Sequence, residues 1–145
     1  MRRNFARASQ KGFTLVELLV VVLILAILMA VALPLYLSAI ANSEKRTARA
    51  NMQTIANAEQ SYRLRSSNHS YLSGNLSDIV GTGTTQLQDI PSNITGPGDR
   101  TYSVKLGPDT CSDANGNTVN VPDGSFSVST SKSDDGCFVP GVTTE

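Results

Sequence analysis

Histidine occurs once in this chain of 145 residues, at His69, and cysteine only twice, at Cys111 and Cys137. With neither a nucleophile–base pair nor a close acid pair around that single imidazole, no catalytic site is assembled, and a non-enzyme is expected. The two cysteines lack the C-x-x-C spacing of zinc and redox sites. Acidic residues are missing from residues 1–12, which carry Arg2, Arg3, Arg7 and Lys11 for a charge of +4. Polar side chains are missing altogether between Leu18 and Leu33. The length leaves room for one modest domain and one accessory element, and excludes a second enzyme-sized domain.

The formal net charge of zero hides a gradient. Residues 13–66 hold five bases against Glu17, Glu44 and Glu59, giving +2, whereas residues 67–145 hold nine acids against Arg100, Lys105 and Lys132, giving −6. The front end suits an anionic surface and the back end does not. Between them the apolar run, extended through Pro34 to Leu37, reaches 20 residues, about what a helix needs to cross a bilayer. The basic leader before it predicts a cytoplasmic N-terminus, with everything beyond about residue 45 outside, although Lys45, Arg46 and Arg49 weaken that bias. A secretory signal peptide is the competing reading, since Ala30-Val31-Ala32 offers an A-x-A cleavage site. Two features oppose it: helix-compatible sequence continues well past Ala32, and a signal peptide has no use for Glu17 at the mouth of its apolar run.

From Ser38 to about Arg65 good helix formers dominate. Ala48, Met52, Ile55, Ala58 and Tyr62 recur at spacings of three or four and make one apolar stripe. A helix from about Thr14 to Arg65 would be roughly 80 Å long, apolar all round in its first half and amphipathic in its second. Pro34 removes a backbone donor midway, which predicts a kink or a locally melted turn.

Beyond Ser66 the chain turns to Ser, Thr, Asn, Gly and Pro, reading as an irregular connection with one short helical turn near Leu76–Val80. Thr101–Leu106 and Ser125–Thr130 alternate as strands, the first with Tyr102, Val104 and Leu106 on one face. Val119 and Val121 offer a third strand. The fold class is therefore α+β: a long N-terminal helix packed by its Met52–Tyr62 stripe on a small antiparallel sheet. In an oxidising, exported setting Cys111 and Cys137 are expected to form a disulfide, and closure of that loop contributes roughly 3 kcal/mol.

A basic leader ending in Lys11-Gly12, then Phe13-Thr14-Leu15-Val16-Glu17, an apolar span with a mid-span Pro34, an amphipathic continuation and a small sheet with a C-terminal cysteine pair resembles the type IV pilin family, including the pseudopilins of type II secretion. The specific match covers about residues 11–37; residues 67–145 agree only in layout. The resemblance implies removal of leader 1–12 by a prepilin peptidase between Gly12 and Phe13, and N-methylation of Phe13. It further implies a filament-core helix over 13–37, an amphipathic helix over 38–66 and an exported head over 67–145. Assembly would run from the inner membrane, through lipid and an inner-membrane assembly platform, into a homopolymer: an extracellular pilus or a periplasmic pseudopilus. In such a filament the Glu17 carboxylate would be costly in an apolar core without a partner, and the Phe13 amine of a neighbouring subunit can supply one. Glu17 is thus expected to pin the register of assembly.

Other signals are weaker. Asp113, Asn115, Asn117 and Asp123 place oxygen ligands on one stretch, and some pseudopilins bind calcium in a comparable loop. The pattern lacks the glycine and glutamate positions of an EF-hand, so an Asn-Gly turn without a bound metal is the better reading, and no cofactor is expected. N-x-S/T sequons begin at Asn68, Asn75 and Asn93. Nucleic acid is not an expected partner, because a DNA-uptake subunit needs a basic head and this one is acidic.

Overall fold

The computed structural model describes residues 12–88, 90, 94 and 96–143. Leader residues 1–11 and Asn93, the start of the third sequon, lie outside them. The chain divides into two compact units, residues 1–40 and 41–145. One helix, α1, covers Leu15–Arg65.

In the first unit, every large apolar side chain from Phe13 to Leu37 is exposed to solvent. This is the inverse of a soluble helix, whose apolar face seeks a core, and the helix is long and apolar enough to cross a membrane. Residues on both sides of Pro34 are helical and so is Pro34 itself, so of the kink or melted turn expected there the melted turn is absent. Ser38 Oγ donates to the Leu35 carbonyl oxygen at 2.9 Å just beyond it.

The second unit is built on the stripe read from the sequence. Ala48, Met52, Ile55, Ala58 and Tyr62 are all buried. Four strands face them: β1 (Gly74–Asn75), β2 (Tyr102–Leu106), β5 (Phe126–Thr130) and β6 (Cys137–Phe138), antiparallel in the order β1-β2-β5-β6. Tyr102 and Val104 of β2 and Phe126 and Val128 of β5 join Met52, Ile55 and Tyr62 in one core. Alternation puts those four strand residues inward, because successive strand side chains point to opposite faces. Leu106 departs from its expected place and lies 40% exposed at the end of β2. The Asn51 side-chain amide donates to the Tyr102 hydroxyl at 2.9 Å, a polar clasp between helix and sheet.

Among the described residues, the connection after α1 is irregular apart from β1 and the helical turn α2 (Leu76–Ile79). Its scattered apolar residues still matter: Leu76, Ile79, Leu87 and Ile90 all enter the main core. The third expected strand, β4 (Thr118–Val121), exists but does not join the sheet. It pairs with β3 (Asp109–Ser112) in a separate hairpin, from Asp109 opposite Val121 to Ser112 opposite Thr118. Val121, Cys137 and Val139 make a second small core there. The Cys111–Cys137 disulfide joins β3 to β6 and so staples the hairpin to the sheet. Gly136 makes the close approach possible: its φ is +76°, and a Cβ there would stand 2.8 Å from the Asp113 carbonyl carbon and closer still to the Ala114 nitrogen.

Candidate functional site

Helix α1 begins where the sequence offers a cap. Thr14 precedes the first helical residue and Glu17 follows three residues later, the T-x-x-E pattern of a capping box. The Glu17 backbone N–H donates to Thr14 Oγ1 at 3.2 Å, and in return Glu17 Oε2 accepts from the Thr14 N–H at 2.9 Å and from the Thr14 hydroxyl at 2.8 Å. Helices leave their first N–H groups without internal partners, and their N-termini favour negative charge. Within one subunit, Glu17 therefore has a local role that its charge alone did not reveal.

Just upstream, Phe13 is 91% exposed and Gly12 is exposed as well. A Cβ added at Gly12 would meet no atom within 4 Å. The peptide bond between them is exposed, and no contact among the described residues requires glycine there. The helix entrance thus offers an exposed peptide bond, a carboxylate one turn away and an apolar helix uncovered among the described residues.

The polar residues that hold the second unit together are elsewhere, and the sequence reading did not find them. Arg100 is 4% exposed. Its Nε and Nη2 donate to the two carboxylate oxygens of Asp135 at 2.6 and 3.1 Å, and its Nη1 donates to Glu44 Oε2 at 3.0 Å. Asp135 Oδ2 also accepts from the Thr130 hydroxyl at 2.7 Å. The Asp135 hydrogen bond, foremost, together with Glu44, raises the Arg100 pKa and keeps the guanidinium charged despite burial. Lys45 adds an ion pair to Asp134 at 3.0 Å, which holds that carboxyl below its ordinary range.

Glu59 is the other concealed charge. It is 0% exposed, and Oε2 accepts the Leu72 N–H at 2.9 Å while Oε1 has no partner among the described residues. Burial pushes its pKa up to about 7, against a smaller lowering by the Leu72 hydrogen bond. The signal was present: residues 48, 52, 55, 59 and 62 repeat at spacings of 4, 3, 4 and 3, so Glu59 occupies a stripe position filled by a polar residue.

Because its folded pKa lies above the unfolded value of 4.5, Glu59 stabilises the fold most below that value, and the contribution fades as pH rises through about 7. The span corresponds to a few kcal/mol, about 3 kcal/mol at most. Thermal unfolding of residues 41–145 is expected to show a midpoint that falls between pH 5 and 8. In Glu59→Gln that fall largely disappears, though a buried amide without full partners lowers the midpoint at acidic pH. Parallel pH profiles for the two proteins would assign the pH dependence to other groups.

Of the calcium candidates, Asp113, Asn115 and Asn117 share one turn and Asp123 lies apart from it. Asp113 Oδ1 accepts the N–H groups of Asn115 and Asn117 at 2.8 Å each, and Oδ2 accepts the Asn117 side-chain amide at 2.9 Å. These bonds, led by the Asn117 amide, hold the Asp113 carboxyl below its ordinary range and use its oxygens within the turn. Asp123 follows β4, at the opposite end of the hairpin from that turn. No group of three or more His, Cys, Asp or Glu side chains that could hold a metal ion occurs among the described residues. Asn68 and Asn75 are both in exposed positions.

Residues 7–33 match the family model of the prokaryotic N-terminal methylation motif, which is the prepilin signature of type IV pilins and pseudopilins. The match ends before Pro34 and leaves residues 41–145 uncovered. No solved structure matches the chain. The architecture is nonetheless pilin-like, one long N-terminal apolar helix with a small antiparallel sheet. Motif and helix together fit a membrane-anchored precursor of a type IV pilin-like or pseudopilin protein.

Proposed function

We propose that this protein is a structural subunit of a type IV pilus: a membrane-held prepilin, cleaved between Gly12 and Phe13, N-methylated at Phe13 and polymerised through its N-terminal helix. The observation that carries the reading is an apolar helix whose side chains are exposed from Phe13 to Leu37, directly after a prepilin signature. Such a surface needs lipid before assembly and identical helices afterwards. Cleavage creates the Phe13 amine, and Glu17 then has a choice of partner: Thr14 of its own chain or the new amine of the next. The second pairing fixes the axial position of an incoming subunit.

A pseudopilin of type II secretion is the second reading, since the same signature serves both. The disulfide is compatible with both readings, because the cell exterior and the bacterial periplasm are both oxidising. Prepilin peptidase and an inner-membrane assembly platform are the partners this reading requires.

Mass spectrometry of the mature N-terminus tests it. N-methylated Phe13 in sheared surface filaments is expected; a chain that begins at Leu33 would mark an ordinary signal peptide and overturn the reading. The variant Gly12→Val sharpens the test, because a side chain at Gly12 has free space in the folded chain. It should accumulate as uncleaved, membrane-held precursor with an unchanged head. Normal processing of Gly12→Val would show that no peptidase reads this position.

A further inference from the structure

A recess of about 590 Å³ opens in the exported unit between α1 and the turn of the β3–β4 hairpin. Arg46, Arg49, Gln53, Asp113, Asn115 and Thr143 are among its lining residues. Arg46 and Arg49, three apart on α1, are exposed and make no hydrogen bond or ion pair among the described residues. Their neighbours Glu44 and Lys45 are already taken by Arg100 and Asp134. Asp113 in the same lining stays ionised, but its oxygens engage Asn115 and Asn117 and form no ion pair with either arginine. The recess therefore presents two guanidinium groups without an ion-pair partner among the described residues, on a unit whose residues 67–145 carry −6.

The matching acids are at the far end of the same hairpin. Asp109 opens β3 opposite Val121, and Asp123 lies two residues beyond Val121. Gly107 presses the preceding turn onto this end: a Cβ there would lie 2.8 Å from the Val121 carbonyl oxygen and closer to that of Pro122. Both acids are exposed, and neither pairs with a cation among the described residues. The hairpin is thus acidic at its open end and bordered by two arginines at its turn, ends separated by roughly 10 Å of strand. One copy cannot bring its own two ends together.

We propose that the Arg46–Arg49 recess seats the acidic end of the β3–β4 hairpin, Asp109 and Asp123, of a second copy of this chain. Two different patches meet, so the contact is heterologous and repeats from copy to copy without closing. It rests on the polymer reading above and adds to it a head-to-head contact outside the helical core. Opposite charges across such a contact set register and speed association, and their effect weakens as salt rises.

The test is charge reversal in the full-length chain. Arg46→Glu with Arg49→Glu should lower the yield of sheared filaments about tenfold, and Asp109→Lys with Asp123→Lys should do the same. In each, cleavage between Gly12 and Phe13 and the unfolding midpoint of residues 41–145 stay at wild-type values. All four substitutions in one chain restore the pairing with signs exchanged, and filament yield should return to within about twofold of wild type. Wild-type yield from the Arg46→Glu, Arg49→Glu chain would overturn the proposal. So would a loss that the fourfold variant does not recover, which would assign the recess to a different anion. Failure of the wild-type chain itself to form filaments is a separate result, and it would overturn the polymer reading on which the contact depends.

Discussion

Replacing Arg100 by alanine is expected to lower the unfolding midpoint of residues 41–145 by on the order of 15 °C, the largest stability effect in that unit. Asp135 is 2% exposed and spends both carboxylate oxygens on Arg100. Without the guanidinium, Asp135 keeps only the Thr130 hydroxyl, and Glu44 of α1 loses its bond across to the strand region. Breaking a buried ion pair from one side costs about 3 kcal/mol or more, because the remaining charge stays desolvated. In a domain near one hundred residues each kcal/mol moves the midpoint by roughly 4–8 °C. Thermal unfolding followed by circular dichroism reads this directly. Adding Asp135→Asn to Arg100→Ala should recover part of the loss, since no unpaired charge then remains. A midpoint within about 3 °C of wild type for Arg100→Ala alone would mean that water satisfies Asp135 and that the pair is energetically idle.

That ion pair also marks where sequence reading reaches its limit. Arg100 and Asp135 lie 35 residues apart, and each stands among polar, turn-forming neighbours that look exposed. Nothing local distinguishes a buried arginine from a surface one; only the meeting of two distant turns does. The helix stripe was legible because burial recurs with the helical period, and β2 and β5 because alternation recurs with the strand period. Strand β3 was not: its sequence, Asp109-Thr110-Cys111-Ser112, has no inward apolar residue except the cysteine, and its partner β4 and the disulfide define it. The two-residue strands β1 and β6 are too short for any period. Val119 and Val121 had the right alternation for a strand, but alternation alone does not say which sheet a strand joins. Glu59 fell on the stripe and was passed over because it is charged. At the helix entrance, T-x-x-E was legible as a capping box, yet the charge of Glu17 drew attention to a distant partner before the near one.

The substitution Glu17→Gln carries the largest expected effect on function. A glutamine retains size, helix propensity and the ability to complete a capping box, so α1 should still start at Leu15. Insertion into the bilayer should persist or become slightly easier, since removing a charge from the span lowers its cost. What disappears is the negative charge that, in the proposed filament, would receive the Phe13 amine of the next subunit. An ammonium left unpaired in an apolar filament core costs roughly 3 kcal/mol or more, enough to lower filament yield by about two orders of magnitude. Thr14→Ala makes the complementary change: it removes the side chain that caps the helix, at a cost of about 1 kcal/mol, and leaves the carboxylate in place. If Glu17 serves assembly, Thr14→Ala should still polymerise.

The most direct measurement is therefore the yield of sheared filaments from Glu17→Gln and Thr14→Ala, taken together with mass spectrometry of the N-terminus in the membrane fraction. The expected result is Glu17→Gln subunits that begin at Phe13 and remain in the membrane, beside near wild-type filaments from Thr14→Ala. Wild-type filament yield from Glu17→Gln, or an equal loss in both variants, would contradict a register pin and leave Glu17 as the cap of its own helix.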